Sequence, residues 1–342
     1  MLTRKNYRGV FAYPPTPFTL GNLLLDEDAV RSNIAKLARM GVDGIVMAGS
    51  SGEFYTLDAV EYRRLGQILQ EECARAGILS VLGTSGLSTR EVIDRTSMAM
   101  ELGLDGAIAL QPFYATLTTA ELRQFWHDLA TSCPDVGLIV YNYEWVRQDY
   151  SLETFKALAE FPNIVGSKEA HWNYAKWLEA HRGSALAHMS ATDVGWLVEM
   201  HKQHAVGVGS MHVCLMPHVV RDVLFACEAG DYPAAEQALA PFTEVISCLK
   251  LGAGRPHIFP SELGNWSSFS GTARDKAMVE AFGFLQAGPP RRPGLAVPEK
   301  TVLALRDYLE RHWPMLLPPT DAAALTTGGR RLWSPSSAPS AD

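Results

Sequence analysis

Through residues 1–230, short apolar runs of strand length alternate with amphipathic segments of helix length. The runs are Gly9–Tyr13, Gly44–Ala48, Ile78–Gly83, Gly106–Leu110, Gly137–Tyr141, Ile164–Lys168, Ala185–Ser190 and Ala205–Gly209. Most are near-continuous in apolar residues instead of alternating, the pattern of a parallel strand covered on both faces. The segments between them include Asp26–Met40, Asp58–Ala76, Ser88–Leu102, Thr118–Ser132 and Asp193–His204. Several open on a residue suited to cap a helix: Asp58, Ser88 or Thr89, Thr118, Ser151 and Asp193. Eight such βα units fit a doubly wound sheet or a (β/α)8 barrel. A doubly wound nucleotide-binding sheet needs Gly-x-Gly-x-x-Gly after its first strand. The nearest match here is Gly207-Val208-Gly209, with His212 where the third glycine belongs. The expected fold is therefore α/β, a (β/α)8 TIM barrel over 1–230 with a C-terminal three-helix extension over 231–317. The extension's helices are expected at Tyr232–Leu249, Thr272–Leu285 and Pro298–His312, and 318–342 reads as a disordered tail rich in Ala, Thr, Gly, Ser and Pro.

A formal charge of −7, spread without a basic block, disfavours nucleic acid and anionic membrane surfaces as partners. Met1–Tyr7 lacks the apolar run of a signal peptide, and no stretch reaches the roughly 20 apolar residues of a membrane span. Cys73, Cys133, Cys214, Cys227 and Cys248 are odd in number and never form a Cys-x-x-Cys pair, which fits reduced thiols in a cytoplasm. The expected localisation is cytoplasmic.

In a (β/α)8 barrel the chemistry gathers at the C-terminal ends of the strands. Unusual residues stand at such ends here: Gly49-Ser50-Ser51-Gly52-Glu53, Tyr141-Asn142 and Lys168-Glu169. Lys168 closes the apolar run Ile164-Val165-Gly166-Ser167, where desolvation favours the neutral amine that attacks a carbonyl. Alternatively, it snorkels to the barrel mouth or pairs with Glu169. Tyr141 is suited to shuttle protons between carbinolamine, imine and alkoxide, or is a core aromatic with its hydroxyl satisfied. The Gly49–Gly52 turn offers backbone N–H groups to a carboxylate, or is a plain flexible turn. There is no His-Glu-x-x-His, and His201 and His204 lie on a polar helical stretch, so a metal-dependent aldolase is disfavoured. No nicotinamide or flavin signature is present either, and no cofactor is expected.

Taken together, these residues resemble the dihydrodipicolinate synthase / N-acetylneuraminate lyase family of Schiff-base (β/α)8 enzymes, class I pyruvate-dependent aldolases. The resemblance runs from Thr16-Pro17-Phe18 to about Leu316. It is carried by Gly49–Glu53, Pro112-Phe113-Tyr114, Tyr141-Asn142, Gly166-Ser167-Lys168-Glu169 and Gly207-Val208-Gly209-Ser210. Lys276–Ala281 and Gly288–Pro293 in the extension are similar too. The resemblance implies that Lys168 forms an imine with a 2-oxo acid, pyruvate above all, and that Tyr141 moves protons. It implies further that Ser51 and Tyr114, the latter from a neighbouring subunit, extend the relay. Gly49, Ser50 and Ser51 would hold the carboxylate, with Gly207 and Gly209 also lining the substrate. A homotetramer built as a dimer of dimers, and an aldehyde as second substrate, follow from the same likeness.

One loop departs from the family. Synthases that condense aspartate semialdehyde continue Tyr-Asn-x-Pro-x-Arg, with the arginine holding the second carboxylate. Here the run is Tyr141-Asn142-Tyr143-Glu144-Trp145-Val146-Arg147, so Glu144 replaces the proline and Val146 stands at the arginine position. Arg147 could serve after a one-residue shift, although a bidentate clamp tolerates displacement poorly. Glu144 and Arg147 are thus candidate second-substrate contacts, with Tyr143, Trp145, His171 and Trp172 as a bulkier aromatic wall. The expectation is a lyase that makes or breaks a C–C bond beside a pyruvate enamine, and not the lysine-biosynthetic synthase. The alternatives are a 2-keto-3-deoxy sugar acid dehydratase using the same imine and, from another class, a non-catalytic ligand-binding homologue.

Overall fold

Eight parallel strands follow one another around a closed barrel, and β1 completes the ring by pairing with β8. They are β1 (Gly9–Ala12), β2 (Gly44–Met47), β3 (Leu79–Gly83), β4 (Gly106–Ala109), β5 (Gly137–Tyr143), β6 (Ile164–Ala170), β7 (Ala187–Ser190) and β8 (Gly207–Ser210). The computed structural model describes residues 1–143, 146, 150–170, 183–191, 197–251 and 266–319. The barrel expected from the apolar runs is thus the architecture found. Its surrounding helices are α1 (Glu27–Arg39), α2 (Ala59–Ala76), α3 (Thr89–Glu101), α4 (Thr119–Ser132), α5 (Leu152–Leu158), α6 (Leu197–Lys202) and α7 (Pro217–Glu228).

The caps behave as their side chains dictate. Asp58 and Thr118 each accept from the backbone N–H three residues on, while Glu61 and Glu121 reach back to close a capping box. Ser88 and Ser151 cap α3 and α5 in the simpler way. Asp193 lies outside the described residues.

Strand residues divide between two cores. Phe11, Val46, Val81, Ile108, Ile139, Val165 and Met189 fill the lumen, with Leu2 and Tyr7 in the same cluster. Leu2 fits only because residue 137 is glycine: a Cβ there would lie 2.7 Å from the Leu2 Cβ. Leu138, Val140 and Ile164 point the other way, into the layer shared with Phe125, Trp126 and Phe155.

The register of β6 decides where Lys168 points. Val165 belongs to the lumen cluster, and strict alternation from it would turn Lys168 outward. The β5–β6 pairing slips between Leu138 and Ile139, so Ile139 faces Gly166 and Tyr141 faces Lys168. One extra residue on β6 reverses the parity beyond it, which is what a β-bulge does. Gly166 permits the slip, because a Cβ there would lie 2.0 Å from the Ala187 carbonyl oxygen.

Three further helices follow: α8 (Tyr232–Leu251), α9 (Gly271–Phe282) and α10 (Glu299–His312). They occupy the segments expected for the extension. Beyond α9 the chain is moored to α1. Asn33 donates to the Gln286 carbonyl at 2.6 Å and accepts from its N–H at 3.0 Å, and Lys36 donates to the Phe284 carbonyl at 2.8 Å. Among the described residues no helix is long and apolar enough to cross a membrane. Cys73, Cys133, Cys214 and Cys227 are buried and unpaired. The segment 320–342 and the Cys248 side chain lie outside the described residues.

Candidate active site

The bulge delivers the Lys168 amine into the lumen between two aromatic faces. Its Nζ lies 4.1 Å from the Tyr141 ring centroid and 4.4 Å from that of Tyr13, and the residue is 7% exposed. Burial draws its pKa down from 10.5 to about 7. The faces favour the ammonium form, but cation–π attraction amounts to roughly 0.5–2 kcal/mol. A shift from 10.5 to about 7 corresponds to about 5 kcal/mol against the charge, so desolvation wins. At neutral pH a large share of the amine is therefore nucleophilic.

Lys168 does not pair with Glu169. Glu169 points outward from β6, accepts from Asn142 Nδ2 at 2.8 Å and from the Ser167 hydroxyl, and Ser167 in turn contacts His188 Nδ1 at 2.6 Å. Lys168 forms no ion pair among the described residues. Asn142 thus clamps β5 to β6 behind the lumen, which holds Tyr141 and Lys168 side by side.

Tyr141 stacks on Tyr143 with centroids 5.2 Å apart and planes 7° from parallel. Burial first, and Tyr143 second, raise the Tyr141 phenol above its usual 10.0, while a hydrogen bond with Ser50 opposes the rise. The phenol therefore stays protonated and can donate. The hydroxyl bonded to Tyr141 is that of Ser50, whereas the family resemblance implied a relay through Ser51. Ser51 Oγ instead donates to Asp275 Oδ2 on α9 at 2.7 Å.

The turn after β2 is held under strain. Ala48 and Glu53, neither of them glycine, take left-handed φ values of 54° and 53°. Thr16 Oγ1 donates to the Gly52 carbonyl at 2.6 Å, and the buried Glu53 carboxylate meets Lys276 Nζ at 2.8 Å and the Arg291 N–H at 2.9 Å. Among the described residues the N–H groups of Ser50 and Ser51 have no acceptor, which leaves them available to an anion at the lumen edge.

The other candidates separate by position. Gly209 abuts the Tyr13 ring, where a Cβ would lie 2.8 Å from Cε2. Gly207 sits at the other end of β8, paired with Gly9, and a Cβ there would lie 2.0 Å from the Gly9 carbonyl oxygen. Its lack of a side chain serves the β1–β8 contact, away from the strand ends that carry Lys168 and Tyr141. Tyr114 is 91% exposed. Glu144, Trp145, Arg147, His171 and Trp172 lie outside the described residues.

Two members of the site escaped the sequence reading. Tyr13 closes the first apolar run, and a phenol at a strand end was a usable signal. Asp275 had none, because 224 positions separate it from Ser51.

The chain matches the dihydrodipicolinate synthetase family over residues 6–254. It is 28% identical to a 4-hydroxy-tetrahydrodipicolinate synthase of Methanospirillum hungatei over 312 residues, 90% of this chain and 99% of that protein. Its fold is similar to that of dihydrodipicolinate synthase from Aquifex aeolicus, with a TM-score of 0.76 at 24% identity over 92% of this chain and 100% of the other. An N-acetylneuraminate lyase of Proteus mirabilis shares the fold as well, with a TM-score of 0.76 at 16% identity over 89% and 98% of the two chains.

Proposed function

The chain belongs to the dihydrodipicolinate synthetase family, and from that membership we propose that it is a lyase of the aldolase type in which Lys168 holds pyruvate as an imine. The observation that carries the reading is the Lys168 amine itself: buried, without an ion pair among the described residues, and drawn to a pKa of about 7. An imine forms where a neutral amine meets a carbonyl already held in place. The free N–H groups of Ser50 and Ser51 supply the hold on the carboxylate, and Tyr141, backed by Ser50, supplies and takes the proton as carbinolamine loses water. The test is reductive trapping. Pyruvate with borohydride should inactivate the enzyme and leave one reduced pyruvyl group per chain, on Lys168. An adduct on another lysine, or none on an active enzyme, would overturn the assignment.

The second substrate is an aldehyde, and the names of the relatives favour 4-hydroxy-tetrahydrodipicolinate synthesis. Those names weigh against the expectation, drawn from Glu144 and Val146, that this activity is lost. We take condensation of pyruvate with aspartate semialdehyde as the first activity to assay. The same two residues favour a different aldehyde as second reading, and turnover of a panel of aldehydes with pyruvate separates the two. The exposed Tyr114 supports a homotetramer in which this side chain enters a neighbour's site. Sedimentation of the wild type and loss of activity in Tyr114→Phe would test both parts of that reading.

A further inference from the structure

We propose that Tyr13 is a second phenol of the imine site, whose hydroxyl donates a hydrogen bond to an oxygen of the 2-oxo acid on Lys168. The proposal rests on the imine reading and adds a substrate contact to it. Tyr13 stands one residue beyond β1, which lies across the barrel from β5 and its Tyr141. The two rings therefore approach the Lys168 amine from opposite walls, at 4.4 and 4.1 Å.

The hydroxyl is the anomaly. Tyr13 is 6% exposed, yet its oxygen has no hydrogen-bond partner among the described residues. Burying a hydroxyl unpaired is unfavourable, so a structure keeps one where something else uses it. A phenylalanine would fill the same space without that cost. Burial, with Tyr7 and Tyr141 nearby, raises this phenol well above its usual 10.0. It is thus a permanent donor and complements an anionic or carbonyl oxygen.

The ring is also built in. It spans from the turn after β2, where a Cβ on Gly49 would lie 3.5 Å from Cδ1, to β8, where a Cβ on Gly209 would lie 3.3 Å from the hydroxyl oxygen. Any side chain at 209 would expel it. The phenol accordingly borders both the amine and the turn assigned to the carboxylate, and a small 2-oxo acid joining these two lies within its reach.

Tyr13→Phe keeps the ring, its packing on Gly209 and the face presented to Lys168, and removes only the donor. The readouts are the pyruvate concentration giving half-maximal borohydride inactivation, the pH profile of that inactivation, and the Tm of the free enzyme. We expect half-saturation to rise about 3–10-fold, the fold-change of one ordinary hydrogen bond, with the pH profile unchanged and Tm equal or higher. A purely structural hydroxyl would instead lower Tm and leave half-saturation alone, which would overturn the proposal. So would labelling of Tyr13→Phe at the wild-type concentration. Wild-type enzyme that takes no label at Lys168 would remove the imine reading and this one together, whereas labelled wild type with an indifferent variant removes only this one.

Discussion

Lys276 Nζ lies 2.8 Å from Glu53 Oε1, and both side chains are buried, so one ion pair joins the helical extension to the turn that follows β2. Two carbonyl oxygens, of Thr16 at 2.8 Å and Pro289 at 2.9 Å, take the other protons of the ammonium. Burial pulls this lysine down to about 8 while Glu53 pulls it back. Lys276 and Lys168 thus illustrate two solutions to one problem. The first is buried with every donor satisfied by an acceptor; the second is buried without an ion pair among the described residues and is the candidate nucleophile.

Removing the cation from this pair should be costly. In Lys276→Met, Glu53 remains as a buried carboxylate beside a strained turn, and loss of one partner of a buried pair destabilises by about 3–5 kcal/mol. Denaturant unfolding should show a loss of that order. Adding Glu53→Gln to Lys276→Met should restore part of it, because the orphaned charge is then gone. A single variant as stable as the wild type would mean that the pair contributes nothing net.

The pH dependence of trapping follows from the displaced Lys168 titration. The neutral amine is the reactant, so inactivation by saturating pyruvate and a hydride donor should rise with pH, reach half its limit near 7 and level off above it. A lysine at its ordinary value would go on rising toward about 10.4. A profile still climbing at pH 9 would show that the lumen does not lower this amine.

The same displacement predicts a stability change of definite sign. Between the folded value of about 7 and the ordinary 10.5, the unfolded chain binds the proton that the folded chain refuses. Stability of the wild type at this site therefore rises with pH across that window. Lys168→Met, which fills similar volume without charge, should stabilise the fold at pH 7 by up to about 5 kcal/mol, a ceiling set by that interval. The gain should shrink as pH approaches 10. Equal Tm values for the two proteins at pH 7 would contradict this.

How much of this was legible in the sequence depended on range. The barrel was, because doubly covered strands must be apolar throughout, and all eight runs fall on strands. That Lys168 and Tyr141 stand together was legible as well, because strand ends at one barrel face share a common mouth. Yet the runs alone could not show that Lys168 faces inward. Its direction hangs on a slip in pairing between Leu138 and Ile139, which Gly166 allows and no apolar pattern encodes. Contacts across long loops were equally invisible. Ser50 and Ser51 are neighbours of identical chemistry, and only the positions of Tyr141 and Asp275 decide which serine does what.

That division of labour between adjacent serines is itself open to test. Ser50 backs the Tyr141 hydroxyl, so Ser50→Ala should leave the phenol less well oriented and lower kcat about 2–10-fold, the worth of one hydrogen bond. Tyr141→Phe preserves the stack on Tyr143 but deletes the shuttle, and should cost about 10²–10⁴-fold. Ser51→Ala breaks instead the 2.7 Å bond to Asp275 on α9. Its effect should fall on the fit of the extension against the turn and on KM, with kcat near the wild-type value. Combining Ser50→Ala with Tyr141→Phe should add little to Tyr141→Phe alone, since both act through one hydroxyl, whereas Ser51→Ala should add its full effect. If Ser51→Ala proves the variant whose loss disappears in the Tyr141→Phe background, the relay runs through Ser51, and the arrangement described for the turn after β2 is not the one used in catalysis.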